Sequence, residues 1–175
     1  MFKNTLKEKL LAGEHCFGML DSTACCEVVE MLGWLGIDFV LLDAEHGKLN
    51  LENLIRAAEN TGIAPIVRPP VTKSEWIGPV LDRGAWGLYL PHFNTAEDAE
   101  MAVSAAKYYP QGMRGTMGAT RTNKFGYEMS GAEYMQKANE ETFIIGLVEE
   151  VEGINNLDAM LKVDGIDAIW VGCGD

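Results

Sequence analysis

Three observations predict a parallel α/β fold of the (β/α)8, TIM-barrel type. Short apolar runs alternate with amphipathic segments along the whole chain. Four of those runs start at residues 16, 39, 64 and 87, so that 23, 25 and 23 residues separate them. Composition does not break between these units. Each spacing fits one strand plus one returning helix, and such alternation means parallel strands. Regular units in one stretch favour a barrel over an open sheet.

The strand candidates are Cys16–Leu20, Phe39–Asp43, Ala64–Arg68, Gly87–Leu90, Phe143–Glu149 and Ala168–Gly172. Between them lie helix signals. Asn50 can cap a helix over 51–60, where Leu51, Leu54, Ile55 and Ala58 share a face before Gly62 ends it. Ser74 is read as the cap of the next helix, with Trp76, Ile77, Val80 and Leu81 inward. Thr95 to Asp98 and Ser130 to Glu133 fit capping boxes, the second more closely. Adjacent Cys25 and Cys26 look like small core residues on a helix.

Two features depart from regularity. The stretch from Pro91 to Thr142 is about twice one unit, and its middle, Tyr109 to Tyr127, is rich in Gly, Arg and Thr. Long loops in a compact domain are usually functional. The sequence also stops at Asp175, directly after the sixth strand candidate. A (β/α)8 barrel has eight strands and typically about 250 residues. The reading is therefore a single barrel domain over residues 1–175 with its last quarter missing. Such a barrel would expose two strand edges and their apolar faces, so the isolated chain is expected to aggregate or to depend on a partner.

Charge and cysteine usage narrow the function class. A formal net charge of −12 argues against a nucleic-acid surface. Cys16, Cys25, Cys26 and Cys173 have neither zinc spacing nor a disulfide framework. The first nine residues are polar and mixed in charge, unlike a signal peptide, and no apolar run is long enough for a bilayer. The default compartment is the cytoplasm.

Chemistry concentrates at the strand ends. Phe39-Val40-Leu41-Leu42 runs into Asp43-Ala44-Glu45-His46; the strand candidate at 143 ends in Glu149; the one at 168 is followed by Asp175. In parallel α/β proteins the C-terminal strand ends share one face, where ligands bind. His46 is the candidate acid/base, since an imidazole titrates near neutrality. Asp43 and Glu45 are expected to arrange water and that imidazole, the alternative for either being hydrogen bonds to backbone amides of the following loop. Glu149 and Asp175 form an oxygen-only pair suited to a hard or borderline divalent ion, Mg²⁺ or Mn²⁺. The alternative for Glu149 is an acid opening a solvated helix. Arg68, held extended by Pro69, can bind a carboxylate or an enolate oxygen. His92 is read as lining, and His15, before the first strand, as structural. None of the nine lysines lies inside a strand run, which disfavours Schiff-base chemistry. There is no P-loop and no GxGxxG.

The segments Phe39-Val40-Leu41-Leu42-Asp43-Ala44-Glu45-His46, Val67-Arg68-Pro69, Tyr109-Pro110-Gln111-Gly112-Met113-Arg114-Gly115 and Val163-Asp164-Gly165-Ile166-Asp167 resemble the HpcH/HpaI aldolase/citrate lyase family. The resemblance implies a (β/α)8 barrel and divalent-metal-dependent cleavage (Mg²⁺, Mn²⁺ or Co²⁺) of 4-hydroxy-2-oxo acids to pyruvate and an aldehyde. By motif it makes His46 the base, Arg68 the enolate-stabilising arginine, and Glu149 and Asp175 the metal ligands. It makes Asp82 the acid that raises the basicity of the histidine. Asp82 precedes a strand and so belongs to the opposite face; to reach His46 it must come from another subunit, which implies a homo-oligomer. Leu147 stands where the aldolase branch often has a substrate-contacting Gln. Gly174, in Gly172-Cys173-Gly174-Asp175, can offer its amide to a substrate carboxylate. The alternatives are a citrate-lyase-like or malyl-CoA-type lyase on the same barrel, or a non-catalytic fragment of such an enzyme.

Overall fold

The computed structural model describes residues 3–48 and 50–174. Its helices are α1 (Thr5–Leu11), α2 (Cys26–Trp34), α3 (Leu51–Thr61), α4 (Ser74–Asp82), α5 (Ala96–Ala106), α6 (Gly131–Glu141), α7 (Val151–Asn155) and α8 (Leu157–Met160). Its strands are β1 (Gly18–Asp21), β2 (Phe39–Asp43), β3 (Ala64–Arg68), β4 (Gly87–Leu90), β5 (Phe143–Val148) and β6 (Ala168–Val171). All six strands are parallel, and each pairs with its sequence neighbour in the order β1-β2-β3-β4-β5-β6. This is the wall of a (β/α)8-type barrel, open between β1 and β6.

Side-chain alternation builds two cores. Val40, Leu42, Val67, Leu88, Leu90, Ile144 and Val148 point outward and pack with the helix layer. Leu41, Ala64, Ile66, Tyr89, Phe143, Ile145 and Leu147 point into the barrel. Because both faces are covered, β2, β3 and β5 read as continuous apolar runs. At the lower mouth, before the strands begin, α1 lies as a plug. Leu6 enters the interior cluster, and the side-chain amide of Asn4 donates to Trp86 O (3.1 Å) and Glu141 O (2.8 Å). A cavity of about 620 Å³ runs up the interior past Phe39, Leu41, Ile66, Tyr89 and Ile145 to Arg68. Met19 and Leu20 on β1, and Trp170 and Val171 on β6, are exposed at the two edges.

Most sequence expectations hold, with local corrections. Asn50 caps α3, and Gly62 ends it with φ +79°. Both Thr95 and Ser130 close full capping boxes. Ser74, however, is the first residue of α4; Lys73 is the cap and has no side-chain hydrogen bond. Trp76 is exposed. Cys25 caps α2 and is only half-buried, as is Cys26, because they sit where the helix enters from the loop. The first strand begins two residues later than expected because Phe17 O is taken by the amide of Asp38 (2.8 Å) below the ladder. The stretch 109–127 lies at the lower rim, away from the strand C-termini. Arg121 there binds Glu59 (2.6 Å) and the carbonyl of Arg83, at the ends of α3 and α4. No helix among the described residues is long and apolar enough to cross a membrane.

Candidate active site at the upper rim

Register delivers the central pair. Asp43 and Arg68 are direct partners on β2 and β3, the last residues of both strands, and both follow the inward parity of Leu41 and Ile66. Arg68 forks onto Asp43, Nε to Oδ1 at 2.9 Å and Nη2 to Oδ2 at 2.7 Å. A bidentate guanidinium–carboxylate pair fixes orientation as well as charge. The Asp43 side chain is only 3% exposed. Burial pushes its carboxyl up, but the Arg68 fork and the amides of His46 and Glu45 outweigh that and hold it below its ordinary value. Asp43 Oδ1 also accepts from the amides of Glu45 (3.1 Å) and His46 (3.3 Å). Asp43 therefore orders Arg68 and the turn that carries His46, rather than touching the imidazole itself.

Glu45 stands at the centre of the rim. Its Oε2 lies 3.1 Å from Arg68 Nη1 and 3.7 Å from His46 Nε2, and its Oε1 lies 3.6 Å from His92 Nε2. The two imidazoles thus flank one carboxylate, one beside each oxygen. His46 is exposed, its side chain 69% accessible, and open to a ligand.

Glu149 follows β5 on the same rim. One of its oxygens, Oε2, accepts the backbone N–H of His92 at 3.1 Å. That amide is aimed by an uncommon backbone. His92 has φ +51°, and the next residue rejoins β5 through Phe93 N to Leu147 O at 3.0 Å. Gly146 makes this approach possible, since a Cβ there would lie 2.3 Å from the Phe93 ring. The His92 imidazole is anchored at Nδ1 by Glu150 Oε1 at 2.7 Å, and Asn94 holds the other oxygen of Glu150. The hydrogen bond that His92 Nδ1 donates to Glu150 keeps His92 above the usual histidine value, while Asn94 and then His92 keep Glu150 below the usual carboxylate value.

The rim therefore gathers Asp43, Glu45, His46, Arg68 and Glu149, and adds two residues that sequence reasoning undervalued. His92, read as lining, belongs to the cluster. Tyr89 was not singled out; it points inward beneath the rim, 8% exposed, and burial pushes its hydroxyl up to about 12, with Arg68 and Glu149 near enough to act on it. Its signal was parity, two residues before Pro91 in a strand whose alternate residues face the interior. Leu147 is buried (3%) in the interior cluster just below Glu149. Gly174 is exposed, and Asp175 lies outside the described residues.

Asp82 is elsewhere. It ends α4 at the lower rim, where Arg114 Nη2 binds its Oδ1 at 2.6 Å. The Arg114 guanidinium stacks over the Tyr108 ring, 4.6 Å from its centroid. Within its own chain Asp82 is thus a partner of Arg114 and is separated from His46 by the length of the barrel.

The donor set fits a hard divalent ion in part. Glu149 has one oxygen fixed by an amide and the other without a hydrogen bond among the described residues, and Mg²⁺ commonly takes one or two carboxylates and fills its remaining positions with water and substrate oxygens. No group of three or more His, Cys, Asp or Glu side chains converges as a metal cage among the described residues.

The fold is a parallel (β/α) barrel wall whose upper rim gathers carboxylates, an arginine and two imidazoles. The HpcH/HpaI aldolase/citrate lyase family model matches residues 16–175, and the chain belongs to that family. It is 32% identical over 176 residues to a hydroxypyruvate/pyruvate aldolase of Sagittula stellata, covering 99% of this chain and 68% of that one. It is 33% identical over 178 residues to a 5-keto-4-deoxy-D-glucarate aldolase of Shigella sonnei, covering 100% and 68%. Among solved structures, the HpcH/HpaI aldolase from Desulfitobacterium hafniense superposes with a TM-score of 0.87 at 31% identity, over 95% of this chain and 65% of that one. The citrate synthase SbnG superposes with a TM-score of 0.85 at 35% identity, over 97% and 66%. The chain thus spans about two thirds of the length of these relatives.

Proposed function

We propose that this rim is the site of a class II, divalent-metal-dependent aldolase that cleaves 4-hydroxy-2-oxo acids to pyruvate and an aldehyde. The observation that carries the reading is the Asp43–Arg68 pair fixed beside Glu45, His46 and Glu149 on a single rim. Glu149 and Asp175 would hold the ion, which as a Lewis acid supplies polarisation of the 2-oxo group. His46 takes the proton of the 4-hydroxyl. The C3–C4 bond then breaks, its electron pair moving to C3 and on to the 2-oxo oxygen as the aldehyde carbonyl forms. Arg68 has N–H groups beyond those bound to Asp43, and these would meet the enolate oxygen. Protonation at C3 gives pyruvate. Leu147 sets an apolar floor under the substrate, and the Gly174 amide meets its carboxylate.

Asp82 can serve this chemistry only across a subunit boundary. Presented by Arg114 and 42% accessible at its side chain, it would face the His46 of a second copy in a homo-oligomer. Four free cysteines fit a reducing cytoplasm. The relatives named as aldolases favour this reading over an acyl-CoA lyase, while the likeness to a citrate synthase keeps carbon–carbon bond formation between other partners within the scaffold's range. The test is release of pyruvate from a panel of 4-hydroxy-2-oxo acids and acyl-CoA thioesters. Activity on the former should disappear with EDTA and return with Mg²⁺, Mn²⁺ or Co²⁺. Activity that survives chelation and is trapped by borohydride overturns the reading.

A further inference from the structure

Among the imidazoles at the rim, His46 is on a turn open to solvent, whereas His92 is built in. Its φ of +51° is uncommon for a residue with a side chain, and such conformations persist where surrounding structure enforces them. Here the enforcing contacts are Phe93 on β5, the Glu149 carboxylate on the backbone N–H, and Glu150 on Nδ1. Glu150 is held in turn by Asn94. With Nδ1 committed, the ring presents Nε2 to the rim. That nitrogen stands 3.6 Å from Glu45 Oε1, beyond hydrogen-bond range, on a side chain 58% accessible. An oriented polar atom with no hydrogen bond among the described residues, across the Glu45 carboxylate from His46, is a receptor for a ligand group.

Resting on the aldolase reading above, we infer that His92 Nε2 binds a hydroxyl of the aldehyde-derived half of the substrate, making His92 a specificity residue for hydroxyaldehydes over apolar aldehydes. A hydroxyl can donate or accept, so it matches Nε2 in either protonation state of the ring. A carboxylate would match only one state and would meet Glu45, Glu149 and Glu150 as like charges. An alkyl chain would leave Nε2 and the Glu45 carboxylate without polar partners once water is displaced.

The experiment compares glycolaldehyde with propanal, which replaces the hydroxyl by a methyl group, as acceptors for pyruvate. The variants are His92→Phe, which keeps the backbone amide on Glu149, and His92→Gln, which keeps a polar edge. The wild type should favour glycolaldehyde in kcat/KM by about tenfold, the scale of one hydrogen bond. His92→Phe should bring the two aldehydes to within about twofold by lowering glycolaldehyde alone, with His92→Gln intermediate. Equal losses on both aldehydes, or an unchanged ratio, overturn the inference. Exchange of the pyruvate methyl protons in D₂O, which needs no aldehyde, is followed in parallel. Its absence from the metal-loaded wild type counts against the aldolase reading instead. In that event the ¹⁵N resonance of His92 Nε2, assigned by its loss in His92→Phe, still decides. A shift with glycolaldehyde but not propanal supports the inference, and an equal or absent response to both overturns it.

Discussion

The two ends of the same six strands handle polar groups in opposite ways. At the lower rim, buried polar side chains mostly close on backbone. Lys107 Nζ donates to Asn139 O (2.6 Å) and Thr142 O (2.9 Å), Asn139 exchanges hydrogen bonds with the backbone of Tyr108, and Asn4 spans Trp86 O and Glu141 O. These contacts satisfy the free carbonyls where helices end and strands begin. At the upper rim, side chains close on one another. Asp43, Glu45, Arg68, His92, Glu149 and Glu150 form a chain of charges in which individual atoms, such as His92 Nε2, lack a hydrogen bond. The lower rim holds the fold together, and the upper rim holds groups ready for a ligand.

Removing Arg68 should break this division of labour most visibly. Arg68→Met leaves the nearly buried Asp43 carboxylate without its partner, a loss of about 3–5 kcal/mol in denaturant melts. Metal-dependent pyruvate release should vanish with it. His46→Asn should sharpen the contrast. On an exposed side chain it should reduce pyruvate release by about 10²–10⁴-fold while the melting curve stays in place. A parallel drop in stability would contradict the assignment of His46 as an acid/base group.

Lys107→Met is the lower-rim counterpart. Asn139 O loses its lysine donor and Thr142 O keeps only the longer bond from Lys7 Nζ (3.4 Å), at a cost of about 1–3 kcal/mol, without a change in turnover per folded molecule. The same lysine carries a pH signature. Burial lowers it from 10.5 to about 8, so the unfolded chain binds more protons between those values. Stability should therefore rise as pH increases from 8 towards 10.5, and this component should be absent from Lys107→Met in urea titrations. A wild-type slope equal to that of the variant would show that Lys107 keeps its charge normally. The smallest effect is expected at Thr95→Ala, which opens the α5 capping box and should cost about 1 kcal/mol with no catalytic consequence.

What the sequence revealed follows the same division. The upper-rim acids were legible because an apolar run ending in charge is a strong local signal, as in Phe39 to Asp43 and Phe143 to Glu149. The Asp43–Arg68 pair was within reach too, since both residues end neighbouring strands of equal length; what sequence could not supply was the register that sets them side by side. His92 was undervalued because nothing local in Pro91-His92-Phe93 encodes a left-handed backbone; Gly146, more than fifty positions away, permits it. The lower rim was almost invisible. Lys107 and Asn139 look like ordinary surface residues of helix ends, and their burial arises only when α5, α6 and β5 meet. Ser74 and Trp76 misled for a simpler reason: the helix starts one residue earlier than its strongest capping residue suggests, and Trp76 lies at the edge of the stripe that Ile77, Val80 and Leu81 bury.

The uninterrupted strand order has a consequence for how this chain comes into being. Every strand pairs with the one that precedes it in the sequence, so no strand waits for a distant partner. Closing each successive pair costs a similar, modest loop entropy, since doubling a loop adds only about 0.6 kcal/mol. The exception is the long link from β4 to β5, between Leu90 and Phe143, which costs more by that small increment and carries two helices and a 3-10 turn of its own. A polypeptide leaving the ribosome can therefore add strands at one growing edge, unit by unit, while the rest is still being made. The first charge pair of the upper rim to form would be Asp43 with Arg68, as soon as β3 emerges, so the centre of the acidic rim is assembled before Glu149 exists to join it.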